Sequence, residues 1–280
     1  MKFGDFEIDT FVEQHFRLDG GTMFGVIPKS IWNKLIPADE NNLIPMVTNL
    51  FLLSAHGYKM IFDIGLGDTL SEREKKIYGT DGISHLDEEL AARGLGREDI
   101  DYVILTHLHT DHAAGAVIKT DNGFAPRFPN AKYIVSSREW NLAVTPDERT
   151  AAVYTPERMQ ALVAAGQVEF INPAPEVDLF DGIRAVHTGG HTGGHFGLEI
   201  NSGGTSVFYY ADIYTTSAHM KTAYVPGTDL YPVETMAVKR RTLPRILEND
   251  VIMAFDHDIN NPLARIRQED RKLVAHKVEA

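Results

Sequence analysis

The 280-residue chain contains no cysteine. That absence excludes disulfide scaffolds, thiolate zinc sites, iron–sulfur clusters and cysteine nucleophiles. Any bound metal must therefore rest on His, Asp and Glu. Long apolar runs are missing too, since no stretch approaches the roughly 20 residues of a membrane span. The opening MKFGDFEIDTFVEQ puts Asp5, Glu7 and Asp9 where a secretory signal would need apolar residues. The sequence has no Ser/Gly-rich linker, no low-complexity tract and no Gly-x-Ser-x-Gly elbow for a serine nucleophile. Basic residues are outnumbered, 27 against 39 acidic, and the net charge of −12 disfavours phosphate backbones as the main partner. These absences lead us to expect a soluble, cytoplasmic protein that acts on a small molecule and has no nucleic-acid or membrane partner.

The length bounds the chain to one or two domains at roughly 150 residues each. No composition shift divides it, so the reading is a single domain over residues 1–280. Alternation in FEIDTFVE suggests an opening strand. LDGGTMFGVIPKSIW, which follows, has neither helical nor strand period. MVTNLFLLS and KMIFDIG read as a hairpin across the turn-prone AHGY. SHLDEELAARG has one apolar helical face, and DYVILT and AKYIVS are short apolar strands of the kind buried on both faces. REWNLAV reads as a helix, and a second begins near Pro156. VEFIN and GIRAVHT are strands, and HFGLEIN and TSVFYYAD flank an SGG turn as another hairpin. Both hairpins end in Asp-Ile, at Asp63 and Asp212, a hint of two similar halves. Residues 232–249 look helical with an interruption near Pro244, and VIMAF is a last strand. Strands, helices and hairpins alternating in this way predict an α/β chain with mixed sheets.

The chemistry concentrates in Thr106-His107-Leu108-His109-Thr110-Asp111-His112, directly after a buried strand. Imidazole titrates at about pH 6.5, so three of them together repel one another when protonated. A divalent cation removes that conflict, because neutral imidazole and carboxylate are its natural donors. The arrangement suits two adjacent ions better than one. His191 lies in GGHTGGH, where glycines permit sharp turns. Asp212 ends a very apolar strand, and His257 follows VIMAFD in a similar position. Alone, each of these would read as structural, but beside the first cluster they read as further ligands.

The set HLHTDH, GHTGGH, Ala211-Asp212 and Asp256-His257 resembles the metallo-β-lactamase-fold hydrolases, over nearly the whole chain. Within that superfamily LDGGTMFGVIPKSIW and LTHLHTDHAAG look most like the N-acyl homoserine lactonase branch. The resemblance implies an αββα sandwich of two mixed sheets flanked by helices, with a two-ion site at one edge. It implies one ion on His107, His109 and His191, another on Asp111, His112 and His257, and Asp212 bridging both. Asp63 would support the metal loop and His195 would stand behind the ligands. The ions would be zinc, with manganese, iron or cobalt as alternatives. The implied reaction is attack of a hydroxide held between the ions on a lactone or ester carbonyl, with Asp111 handling the proton.

One position departs from the pattern. Lactonase relatives often carry a Tyr three residues after the bridging Asp, and here that place is Thr215. Tyr214, one residue earlier, is the candidate for its substrate contact. His219 and Tyr224 could line the pocket, and Met23 and Phe24 could cover an acyl chain. His15, His56, His85, His187 and His276 read as ordinary residues. Phosphotriesters, phosphodiesters and other esters are alternative substrates for the same two-ion site, and a non-catalytic metal-binding scaffold is a remoter alternative. The resemblance leaves room for a homodimer.

Overall fold

Alternating Phe6, Ile8 and Phe11 do form a strand, but it runs on from Phe6 to Asp19 (β2), also burying Phe16. The structure, a computed structural model, describes residues 1–279. The chain divides into two compact units, Met1–His15 with Thr48–Asn172 and Phe16–Val47 with Pro173 onward. Among the described residues the strands form two seven-stranded sheets and one small ribbon. No helix among them is long and apolar enough to cross a membrane.

In the first sheet Lys2–Phe3 (β1) pairs antiparallel with β2. Leu43–Ala55 (β3) and Tyr58–Phe62 (β4) make the first hairpin. It turns on His56 and Gly57, with φ of 55° and 82°, the left-handed pair a two-residue turn requires. Tyr102–Leu105 (β5) lies parallel to β4. Val117–Thr120 (β6) and Gly123–Pro126 (β7) form the ribbon. Lys132–Ser136 (β8) and Val168–Ile171 (β9) extend the sheet in parallel. Leu50, Leu52, Ile61, Val103, Leu105 and Val135 of this sheet bury one core. It is closed by Leu86 and Leu90 of one helix and by Met159 and Leu162 of another. Each fully buried side chain of this size contributes roughly 1.5–3 kcal/mol.

The second sheet runs in chain order: Glu176–Phe180 (β10), Ile183–His187 (β11), Phe196–Ser202 (β12), Thr205–Tyr209 (β13), Ile252–Ala254 (β14), Leu263–Glu269 (β15) and Lys272–Lys277 (β16). β13 and β14 are parallel and their neighbours antiparallel, so this sheet is mixed as well.

The helices are Gly20–Phe24 (α1), Lys29–Trp32 (α2), Glu72–Tyr78 (α3), Leu86–Ala92 (α4), Thr110–Ala113 (α5), Ser137–Val144 (α6), Pro156–Ala164 (α7) and Pro232–Glu248 (α8). The segment LDGGTMFGVIPKSIW thus has regular structure after all, two helices too short to show a period. Pro244 does not interrupt α8. Pro244 is exposed, as is Arg240 one turn earlier, so water can serve the carbonyl that loses its donor. Val238, Thr242 and Ile246 keep the opposite face buried. The fold is therefore mixed α/β, with two large mixed sheets flanked by helices.

Candidate metal centre

In the first unit the chain leaves β4 at Asp63 with φ of 48°, a left-handed turn unusual for a non-glycine residue. That turn aims the carboxylate at the segment after β5. Asp63 Oδ1 accepts from Thr106 N at 2.8 Å, and Oδ2 accepts from Thr106 Oγ1 at 2.7 Å. His112 Nδ1 lies 3.0 Å from the same Oδ2. His107 Nδ1 meets Thr106 Oγ1 at 3.1 Å. Ring centroids of His107 lie 4.6 Å from His109 and 4.0 Å from His112. Asp63, His107 and His112 each offer a ligand atom within 4.8 Å of the others. All of these residues are buried.

Two cradles fix this loop. Ile64 N donates to His112 O at 2.7 Å and Gly115 N to Gly65 O at 3.0 Å. The approach is so close that a Cβ on Gly115 would collide with the carbonyl oxygen of Ile64. Glu13, 0% exposed, holds the same stretch by accepting from Thr48 Oγ1, Leu66 N and Gly67 N at 2.7–3.2 Å. Burial pushes its pKa above the usual carboxylate range against those hydrogen bonds. On the other side Glu139 Oε1 accepts from Leu108 N at 3.2 Å and from the Tyr154 hydroxyl at 2.7 Å. The Tyr154 ring lies 5.0 Å from that of His109. Thr110 donates through N and Oγ1 to Val153 O, both at 2.9 Å. Asp111 sits in the first turn of α5 with Tyr78 Oη 3.4 Å from its Oδ1.

In the second unit Gly189 and Gly190 take φ of 58° and 76°, folding the turn that carries His191. His191 Nε2 lies 3.0 Å from Asp212 Oδ2, and its Nδ1 lies 2.8 Å from Asp229 Oδ1. Burial alone would lower the His191 pKa, but Asp212 and Asp229 outweigh it and hold the imidazole at about 10. Two carboxylates here demand positive charge. Ala211, with φ of 40°, turns the chain just before Asp212. Asp212 Oδ1 lies 3.7 Å from His257 Nε2, and Asp256 Oδ2 lies 3.6 Å from the same nitrogen. His257 Nδ1 meets Val47 O at 2.9 Å. His195 Nδ1 meets Thr188 Oγ1 at 2.6 Å, and its ring lies 5.9 Å from His191.

His107, His112, His191 and His257 are thus each held through Nδ1, which orients Nε2 as the ligand nitrogen. With two carboxylates set against His191, the donor set fits a divalent cation. The chemistry is all nitrogen and oxygen, suited to zinc, manganese, iron or cobalt.

Met23, Phe24, Tyr214 and His219, four of the residues considered for substrate contact, are all buried in the second unit. Phe24, 0% exposed, is stacked between Trp32 at 5.4 Å and His219 at 4.4 Å. His219 engages Thr216 Oγ1 through Nδ1 and Met23 O through Nε2, and burial beside Lys239 lowers its pKa to about 3. Met23 is buried. The Tyr214 hydroxyl meets Thr242 Oγ1 of α8 at 2.9 Å, and burial raises its pKa beyond the usual phenol range. His15, His56, His85 and His276 are exposed, and His187 is half-buried.

Sequence reasoning overlooked Asp229, Glu13, Glu139 and Tyr78. Each sits in an ordinary-looking stretch and reaches a ligand or the loop beside one across 31 to 54 residues of chain. Asp256 was within the quoted motif but had no role assigned.

Sheets and histidine loops of this kind define a class, and the sequence profile of the metallo-beta-lactamase superfamily matches residues 43–213. The chain belongs to that superfamily. It is similar to a probable metal-dependent hydrolase from Staphylococcus aureus, at 31% identity over 100% of this chain and 99% of that one, with a TM-score of 0.91. It shares its fold with AidC, a dizinc quorum-quenching lactonase, at 19% identity over 100% of this chain and 97% of that one, with a TM-score of 0.80. A short stretch is 41% identical to N-acyl homoserine lactonase AttM of Azorhizobium caulinodans, over 59 residues. That stretch spans 21% of this chain and 19% of the relative's length.

Proposed function

We propose that the chain is a metal-dependent hydrolase with a two-ion centre, cutting lactone or ester carbonyls, with N-acyl homoserine lactones as the first substrate class to test. The observation that carries this reading is the set of four Nδ1-tethered imidazoles together with Asp212 set against both His191 and His257. In the proposed ligand set, His107, His109 and His191 hold one ion and Asp111, His112 and His257 the other, with Asp212 shared. Bound divalent cations, zinc by preference, would supply Lewis acidity for the carbonyl oxygen and bring the pKa of a water toward neutrality.

The chain's own residues do the rest. Asp111 takes the proton from the attacking water as its oxygen adds to the carbonyl carbon, then returns it to the alkoxide released when the ring or ester C–O bond breaks. Asp63, Asp229 and His195 keep the ligands in register, so the centre is assembled before substrate arrives. We read the whole chain as one catalytic domain working on a small molecule in the cytoplasm. The AttM match and the AidC fold support the lactone class.

The test is turnover by metal-analysed protein on homoserine lactones of several chain lengths, set beside aryl esters and phosphotriesters. His109→Ala and Asp212→Ala should abolish both hydrolysis and metal loading. Full activity in either variant contradicts the ligand set, and phosphotriester turnover without lactone turnover contradicts the substrate class.

A further inference from the structure

We propose that Tyr78 is a positioning residue for Asp111, fixing its carboxylate by one oxygen; this rests on the hydrolase reading above. Tyr78 ends α3 and is 4% exposed. A phenol this deeply buried needs a partner for its hydroxyl, and Asp111 Oδ1 lies 3.4 Å away. The length suits a hydrolytic centre at rest, where such contacts often tighten only once substrate is bound.

The segment carrying Tyr78 is built to keep it there. Ser71 and Glu74 cap α3 reciprocally, and Gly79 closes it with φ of 52°. Arg158 of α7, with its side chain 3% exposed, reaches Glu74 at 2.7 and 3.0 Å. The same guanidinium donates to Thr69 O at 2.8 Å and Thr69 Oγ1 at 3.0 Å. These bonds tie α3, the helix that carries Tyr78, to α7 and to the segment before it.

The contact does one thing chemically. A carboxylate on a short side chain can rotate about its last bond and exchange its two oxygens. A hydrogen bond from the phenol to Oδ1 restrains that rotation, so Oδ2 would be the oxygen presented to a bound cation. The hydroxyl would thereby orient Asp111 toward the second ion without being a ligand. Tyr214 is not a substitute, because its hydroxyl is turned to Thr242.

Tyr78→Phe removes the hydroxyl and nothing else. Wild type and variant are loaded with cobalt(II), whose visible absorption reports its ligand geometry, and metal content, melting temperature and steady-state kinetics are measured on both. The proposal expects equal metal content and melting temperature but altered cobalt bands. It also expects kcat to fall about tenfold with KM nearly unchanged, as for loss of one hydrogen bond to a charged group. Identical cobalt bands and kcat overturn it, as does loss of metal or of the fold, which would make the phenol part of the scaffold. Should wild type turn over nothing in the substrate panel, the hydrolase reading fails while the cobalt spectra still decide the role of Tyr78.

Discussion

Asp229→Asn isolates the electrostatic part of the site. The Asp229 side chain is 0% exposed and lies 2.8 Å from His191 Nδ1. The amide is isosteric, so its oxygen can still accept from Nδ1 while Thr235, which now donates to Asp229, rotates its hydroxyl to accept from the new amide. Only the charge is lost. A hydrogen bond to a charged group contributes about 1.5–3 kcal/mol and a neutral one about 1 kcal/mol. The difference, about 0.5–2 kcal/mol, is roughly a 2- to 30-fold loss in affinity for the ion held by His191. Changes to such outer partners ordinarily weaken metal binding by about 10- to 100-fold, which overlaps that range. The assay is zinc titration against a chelator of known affinity, read on wild type, on Asp229→Asn and on Asp178→Asn. The last alters an exposed carboxylate that pairs with Arg184 and serves as the control. Affinity of Asp229→Asn within twofold of wild type would refute the argument that the Asp229 charge sets the strength of the His191 ligand.

Two further outcomes follow from the braces around the loop. Glu74 is pulled down to about 2 because the Arg158 and Ser71 hydrogen bonds outweigh a desolvation that would raise it. A depressed carboxylate stabilises the fold above its unfolded pKa and loses that contribution as pH falls through the folded value. The melting-temperature gap between wild type and Glu74→Gln should therefore be full above about pH 4.5 and narrow toward about pH 2, and a gap constant with pH would contradict the ion pair. Gly115→Ala drives a Cβ into the Ile64 carbonyl. It should destabilise the protein by about 3 kcal/mol in chemical denaturation and reduce metal content, and a variant as stable as wild type would show that the two loops are not locked together.

The ligands were legible because they cluster in sequence. HLHTDH packs three imidazoles and a carboxylate into six residues, a density that ordinary packing does not call for. The strands were legible for a similar reason, since DYVILT and AKYIVS carry a local apolar signal. The carboxylates behind the ligands were not. Asp229 lies in GTDLYP and reads as a turn residue, and only the fold brings it to His191. Nothing in GTMFG or SAHM reveals that Phe24 and His219 stack on each other. The hairpin of β15 and β16 went unread because its first strand, LARIRQE, has one β-branched residue, Ile266, among helix-forming ones. Only the turn at Asp270, whose φ is 53°, separates it from β16.

The most direct test of the central claim is anomalous diffraction at the metal edge from crystals of zinc-loaded protein. The account predicts two ions about 3.5–4 Å apart, one against His107, His109 and His191, the other against Asp111, His112 and His257, with Asp212 touching both. A single ion, or ions resting on other residues, would contradict it.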